Sequence, residues 1–406
     1  MDAPPPLAVV EAQARLLARF HRCDAEPVAL AVALGRTLAA DVVATGDLPP
    51  FTNSAMDGYA VRAIDTDSAS AAKPAMLAVI GMHAAGAAAS LTIRAGEATA
   101  ITTGAPLPAS ADAVVRLEET DGGGATVAIR ASVVAGTNVR RRGETMRAGT
   151  MLLPAGTRLS PGQIALLAAT GHARPSVVRR PRIAILSTGN ELAPAGREPG
   201  SGQIPDTNAP LLAALVAQFG GVPVRHGIAR DTPDDLRRAL DAVPDVDCII
   251  TTGGVSVGAY DAVRAVIAER GALDFWRVRM RPGYPVAFGL IGPTPILALP
   301  GNPVAAFVTF HVLMRPALAR LLGQTPELPP TVPARLMHAI ENRGAQQTYL
   351  RARLHVTPAG WEADTSLDQA VSNVVSLGAA DGLAVIPEGI AHIGEGEIAQ
   401  VILLGA

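Results

Sequence analysis

The sequence lacks most of the features that announce a function at sight. Cysteine is scarce, with Cys23 and Cys248 the two present. Cys248 opens an apolar, strand-like run, so reduced, buried thiols are expected instead of a disulfide, and with them a cytoplasmic setting. Lysine is nearly absent: Lys73 stands alone among 34 basic residues. Because Pro74 follows Lys73, there is no Gly-Lys-Ser/Thr phosphate loop, and no G-x-G-x-x-G dinucleotide fingerprint occurs either. A net charge of −2 gives no electrostatic footprint for nucleic acid. Apolar runs stay short of a membrane span, and the opening Met1, Asp2 and Ala3, followed by prolines, carry no basic and apolar signal pattern. The expectation is a protein that binds neither nucleic acid nor membrane.

What is present organises itself around residues 247–261. Cys248 to Thr252 read as a buried strand, Gly253 and Gly254 as a loop, and the residues after Asp261 as a helix with Val263, Val266 and Ile267 on one side. Strand, glycine loop and helix present backbone N–H groups to an anion, since the first amides of a helix have no internal partner. Asp261 at the mouth could hold a cation or orient a hydroxyl. Gly254, Ser256 and Gly258 also match G-x-S-x-G, the nucleophile elbow of serine hydrolases. The elbow demands a sharp turn, and the nine residues from Gly253 to Asp261 are too slack for one. An anion-binding loop is the favoured reading.

At 406 residues the chain should hold two to four domains. Residues 1–46 and 147–178 read as a helical and extended linker region, with helices near 7–20, 28–34 and 158–171. Residues 47–146 are rich in short β-like runs, and Gly122 to Gly124 suit a tight hairpin. Arg140 to Arg142 are the densest basic cluster, and adjacent residues on a strand cannot all face one way. From residue 179 to 326, strands alternate with helices, the signature of a doubly wound parallel α/β sheet. Thr232, Pro233 and Asp235 suit an N-cap, N1 proline and early acid. Strand ends there are followed by glycine and a polar residue: Gly189 with Glu191, Asp231, Gly253 with Asp261, Gly301 with Asn302. That edge is where ligands bind in open α/β sheets. After the prolines near 326–333, residues 330–406 suit a small β-barrel.

Phe51 to Ala60, Arg140 to Gly143, Ser187 to Leu192, Ile204 to Asn208, Thr252 to Gly258, Phe275 to Pro285 and Leu299 to Val304 together resemble the molybdopterin molybdenumtransferase family. This is the MoeA type, shared with the C-terminal domain of gephyrin, and the resemblance runs essentially end to end. It implies a molybdopterin-binding α/β domain flanked by a β-rich domain, a helical linker region and a C-terminal β-domain, assembled as a homodimer. The implied reaction inserts molybdate into the dithiolene of adenylylated molybdopterin and releases AMP. Carried over by position, Asp57, Glu191, Asp231 and Asp261 are the functional acids, converging on one cleft with Asp57 supplied by the other subunit. Glu191, Asp231 and Asp261 would hold Mg2+ or another divalent ion. Substrate contacts fall to Thr188, Gly189, Asp206, Asn208, Gly253, Gly254, Ser256, Gly258, Arg277, Arg281, Pro300, Gly301, Asn302 and Pro303. Further partners implied are the molybdopterin adenylyltransferase and downstream cofactor-maturation proteins.

The chain also departs from the family pattern. Thr145 stands where an Asp is common, Gln346 aligns with an arginine, and three lysines of the family are Arg277, Arg281 and Tyr284. Arginine keeps the charge without being a neutral swap at a tight site, whereas Tyr284 loses it. The alternative to the enzyme is therefore a diverged or non-catalytic molybdopterin-binding paralogue or scaffold. Arg281, before Pro282 and Gly283, is expected to aim at the cleft lined by Gly253, with Arg279 on the same face of the same strand.

Overall fold

The computed structural model describes residues 5–86, 91–253, 260–324, 328–342, 344 and 346–405, with the backbone alone for 260–262 and 264. It divides into two compact units. One comprises Met1–Ala40, Gly156–Ser160 and Ser176–Ala406, the other Asp41–Ala155 and Pro161–Pro175.

Helix α1 (Val9–Leu17) begins the larger unit and buries Val9, Ala12 and Leu16, a three-to-four-residue spacing that lines one helical face. The expected second helix near 28–34 is a single tight turn, Leu30–Val32. The smaller unit holds β1 (Gly58–Val61), β2 (Ala75–His83), β3 (Glu97–Ile101), β4 (Ala113–Arg116) and β5 (Thr126–Ile129), in the order β4-β1-β3-β2-β5. Tyr59, Leu77, Val115, Val127 and Ile129 form its core. Gly122 to Gly124 do not close a hairpin between successive strands, because β5 pairs with β2. Asp121 shapes that turn instead, accepting from the Gly123 and Ala128 amides at 3.0 Å each. Helix α2 (Pro161–Ala169) is shorter than the expected 158–171.

Back in the larger unit, the α/β part runs β6 (Arg182–Thr188), α3 (Asn208–Gln218), β7 (Val222–Ala229), α4 (Pro233–Asp241), β8 (Cys248–Thr252), α5 (Tyr260–Arg270), β9 (Gly271–Arg277), β10 (Pro285–Ile291), β11 (Thr294–Leu299) and α6 (Pro303–Leu321). The sheet order is β7-β6-β8-β11-β10-β9; β6, β7, β8 and β11 are mutually parallel, and β10 runs against both its neighbours. Both faces of this sheet are covered, which is why β6 and β8 read as near-continuous apolar runs. Ile183 and Ile185 pack with α1, α3 and α6, while Ala184 and Leu186 pack with α4 and α5. That alternation is the two-residue period of a strand.

The helix starts follow their capping residues. Thr232 accepts from the Asp235 amide at 3.2 Å ahead of Pro233. Asn302 accepts from the Val304 and Ala305 amides at 3.1 and 3.4 Å ahead of Pro303. Helix α6 is long and apolar enough to cross a membrane, but its most apolar stretch is 94% buried within the fold. Its middle, Phe310–Met314, widens into a π-helical turn. Strands β12 (Thr331–Leu336), β13 (Gln347–Thr357), β14 (Gly360–Asp364), β15 (Gly382–Ile386) and β16 (Ile398–Leu403) close into a barrel in the order β13-β14-β12-β16-β15, with β15 returning to β13.

Asp247 clamps the start of the sheet. Its carboxylate accepts from both terminal nitrogens of Arg179, at 2.7 and 2.6 Å, and from the Arg182 amide at 2.8 Å. Burial alone would raise this carboxyl, but the Arg179 and Arg182 hydrogen bonds outweigh it and hold it below the usual carboxylate range. Asp247→Asn should cost about 1.5–3 kcal/mol of stability by denaturant unfolding, the range for hydrogen bonds to a charged group. The folded-state pKa lies below the unfolded value of about 3.9, so the stabilisation is present above that pH and lost as pH falls. The gap between wild type and variant should close on acidification below about pH 4.

Candidate functional site

The carboxyl ends of β6, β7, β8 and β11 lie on one edge of the sheet. From β6 the chain passes to α3 on one face, and from β8 to α5 on the other, so the connections diverge between these neighbouring strands. A divergence of that kind opens a crevice for ligands.

Glycine lets the loops at this edge approach one another. Gly253 has φ +93°, and a Cβ there would sit 2.1 Å from the Thr188 carbonyl oxygen. A Cβ on Gly301 would lie 3.1 Å from the Gly253 Cα. The Asn208 side-chain amide donates to Thr252 Oγ1 and to the Gly301 carbonyl, both at 2.8 Å, and its Oδ1 is buried without a partner among the described residues. Thr252 Oγ1 in turn donates to the Pro300 carbonyl at 3.1 Å. Thr188, Gly253, Asn208, Pro300 and Gly301 are thus drawn together, with Asn302 and Pro303 opening α6 beside them.

The carboxylates gather one strand away. Asp231 Oδ2 accepts from the Asn190 amide at 3.1 Å. The Glu191 carboxylate covers Gly189 so closely that a Cβ there would meet its oxygens at 2.7 and 2.8 Å. Both acids therefore contact the Gly189–Asn190 turn. Asp206 is buried and accepts from the Ala209 amide at 3.0 Å, shaping the start of α3. Beside the turn is a cavity of about 550 Å³ walled by Asn190, Gln203, Asp206, Arg225 and Arg230. Neither arginine has a carboxylate within ion-pair distance among the described residues. Sequence reasoning passed over both: Arg230 directly precedes Asp231, which was the available signal, while Arg225 sits on β7 in no motif.

Other expected site residues belong to other elements or fall outside the described residues. Gly254, Ser256 and Gly258 fall outside the described residues, as does the side chain of Asp261. Helix α5 starts at Tyr260, so seven residues (253–259) separate strand and helix instead of nine. Asp57 belongs to the smaller unit, where Oδ1 accepts from the Thr103 amide at 2.6 Å and the Thr103 hydroxyl at 3.0 Å. Arg277 lies over the Trp276 ring at 4.0 Å.

Arg279 and Arg281 do not share a strand. Strand β9 ends at Arg277, and Met280–Arg281 pair instead with Gln347 and Thr348 of the barrel. The chain changes sheets between the two arginines. Arg281 is exposed, while Arg279 binds Glu388 at 2.7 Å and the Pro6 carbonyl at 2.8 Å. A residue held by an ion pair and a carbonyl is no matched control for one that is exposed.

Comparison with known proteins decides the family. Residues 7–171 match the MoeA N-terminal region (domain I and II), 184–320 a probable molybdopterin binding domain, and 333–404 the MoeA C-terminal region (domain IV). The chain is 39% identical over 403 residues to molybdopterin molybdenumtransferase 2 of Mycobacterium tuberculosis, covering 97% of this chain and 98% of that protein. It is 39% identical to the molybdopterin molybdenumtransferase of a Nostoc species, over 94% of this chain and 89% of that one. The crystal structure of the molybdopterin biosynthesis moea protein from Pyrococcus horikosii superposes with a TM-score of 0.87 at 34% identity, over 98% of this chain and 99% of the other. The chain belongs to the molybdopterin molybdenumtransferase family.

Membership in this transferase family of molybdenum cofactor biosynthesis agrees with the expected fold class and enzyme class, and it leaves the serine-hydrolase reading of Ser256 without support. Within the family frame, the glycine contacts carry a direct test. Gly253→Ala places a methyl against the Thr188 carbonyl at a backbone conformation that L side chains rarely adopt. It should destabilise the protein by about 1–3 kcal/mol and weaken binding of the pterin substrate. Thermal unfolding and a binding titration check both effects, and unchanged stability would contradict the tight approach.

Proposed function

We propose that this carboxyl-edge cleft inserts molybdate into the dithiolene of adenylylated molybdopterin, with release of AMP. The observation that carries the reading is the pair of carboxylates, Glu191 and Asp231, in contact with one turn beside a cavity walled by Arg225 and Arg230. Guanidiniums suit the phosphates of such a substrate, and the glycine approaches at Gly189, Gly253 and Gly301 bring backbone close to it. Asn208, Thr188, Asp206 and the Pro300–Pro303 segment position those loops. Arg277 and Arg281 are assigned as further anion contacts, and Gly254, Ser256 and Gly258 as the remainder of the ligand loop.

Among the described residues no group of three or more His, Cys, Asp or Glu converges. Two carboxylates with phosphate oxygens and water are nonetheless the donor set that Mg2+ favours. Glu191 and Asp231, with Asp261 as a third, fit the role of holding Mg2+ or another divalent ion. When bound, that ion would neutralise charge on the phosphoanhydride. The protein's own arginines, Arg225 and Arg230, orient the phosphates, and the Asn190 amide holds Asp231 in place.

The reading extends to a homodimer in which the second subunit contributes its Asp57, to a cytoplasmic setting, and to hand-over from an adenylyltransferase to cofactor-maturation proteins. It retains the division into a linker region (1–46 and 147–178), a β-rich domain (47–146), an α/β domain (179–326) and a barrel (330–406). Thr145, Tyr284 and Gln346 favour the second reading, a diverged binding paralogue or scaffold.

Molybdate-dependent AMP release from adenylylated molybdopterin separates the two. Wild type should release AMP, and Asp231→Asn or Glu191→Gln should lower the rate by about a hundredfold, the order for losing one preorganised electrostatic group. Substrate binding without release in wild type would leave the paralogue reading. At Arg281, alanine should weaken substrate binding by about 1.5–3 kcal/mol. Lysine should restore most of that if charge alone matters, and little if a bidentate fork is used.

A further inference from the structure

A second cavity, of about 630 Å³, lies at the opposite edge of the sheet and is walled by Arg36, Arg158, Arg180, Arg315 and Phe219. Arg180 precedes the first residue of β6, and Gly220, also in its wall, precedes β7, so this is the amino edge of the strands. The carboxyl-edge cleft begins where β6 ends, seven residues further on. At about 3.3 Å per residue the two are roughly 20 Å apart. No aspartate or glutamate lines the second cavity.

The arginines are not equivalent. Arg36 is 92% buried: one terminal nitrogen donates to Glu26 and to the Val178 carbonyl, while its Nε is buried with no partner among the described residues. Arg158 and Arg180 are exposed and have no carboxylate within ion-pair distance among the described residues. Arg315 is buried, donates to the Leu403 carbonyl at 2.6 Å and covers the Phe219 ring at 4.3 Å. Two readings compete, a solvated basic face and a binding site. A solvated face has no need to wall a cavity with four guanidiniums and no carboxylate. The volume lies within the usual range of small-molecule pockets, about 300–1,000 Å³. The guanidinium fork is the side chain best matched to a tetrahedral oxyanion.

We propose that the amino-edge cavity is a second anion site, separate from the carboxyl-edge cleft, that takes a tetrahedral oxyanion dianion, either a phosphate ester or molybdate itself. The exposed Arg158 and Arg180 side chains supply the donors, and Leu322, Pro329 and Pro330 give the wall an apolar side for the body of an ester. The proposal stands whether or not the catalytic reading above is correct.

Calorimetric titration of the full chain in chloride buffer, with sodium phosphate and separately with sodium molybdate, tests it. The comparison is between wild type, the Arg158→Gln/Arg180→Gln double variant and an Arg225→Gln/Arg230→Gln double variant of the other cleft. All four side chains are exposed, and a melting curve for each variant confirms folding. Wild type should bind at least one anion with a component that weakens about tenfold or more in the first variant and persists in the second. An Arg158→Lys/Arg180→Lys variant should recover part of it. Whether phosphate or molybdate carries that component identifies the source. No binding of either anion, or binding lost only with Arg225 and Arg230, overturns the assignment.

Discussion

The site rests on a contact between backbones. At the carboxyl edge, the Gly253 Cα approaches the Thr188 carbonyl and Gly301 in turn packs on Gly253, at separations that leave no room for a Cβ on Gly253 and little for one on Gly301. Three chain segments far apart in sequence meet there with almost no side chain between them. What fixes their register is Asn208, whose single amide group binds Thr252 and Gly301 together from the first turn of α3. Since α3 also buries Leu212, Leu215 and Val216 in the main core, the loops inherit the rigidity of the sheet and helix behind them. Backbone held this way at Thr188, Gly253 and Gly301 has little ordering entropy left to lose.

The near-absence of lysine changes how charge is used. Arginine is a planar fork, and the structure uses the fork repeatedly: Arg179 grips Asp247 with both terminal nitrogens, Arg270 does the same to Asp241, and Arg279 bridges Glu388 and the Pro6 carbonyl. An ammonium has no such planar pair of donors to offer. The same substitution pattern therefore means different things at different places. At the Asp247 clamp it gives two well-directed bonds. At Arg277 the guanidinium stacks on the neighbouring Trp276 ring, a contact that shares the side chain between packing and any ligand.

The α/β part was legible because its signals are local. Apolar runs marked β6 and β8, and Thr232 with Pro233 gave the start of α4 by short-range chemistry that needs no knowledge of the fold. Long-range pairing was not legible. The chain leaves one sheet after Arg277 and joins another at Met280, a switch decided by Gln347 and Thr348 far along the sequence, so Arg279 and Arg281 lost their common face. Gly122 to Gly124 carried a hairpin signature, but the partner of the following strand is β2, and Asp121 made the turn. Arg225 was missed because a single arginine on a strand has no spacing to betray it; only the loops folded against it make it a wall of the cleft.

Helix α6 shows how far burial can set chemistry without any partner. His311 sits in its π-helical turn, fully buried among Phe219, Phe307 and Phe310, the nearest ring centroid being 4.6 Å away at 61°. Burial, reinforced by the Arg315 charge, pushes its pKa down to about 3. The imidazole is therefore neutral in the folded protein throughout the physiological range, while in the unfolded chain it protonates near pH 6.5. Between those values the unfolded state binds more protons, so stability rises with pH in that window and is lost as pH falls through it. The slope is about 1.4 kcal/mol per pH unit for one group, or about 2 kcal/mol from pH 6.5 to 5, an interval above the range where the carboxylates dominate. His311→Phe keeps a planar ring and removes the titration. Its stability measured by denaturant unfolding should be flatter than wild type by about that amount across the interval. Parallel curves would mean that His311 takes up its proton in the folded state and that the aromatic cluster admits a charge.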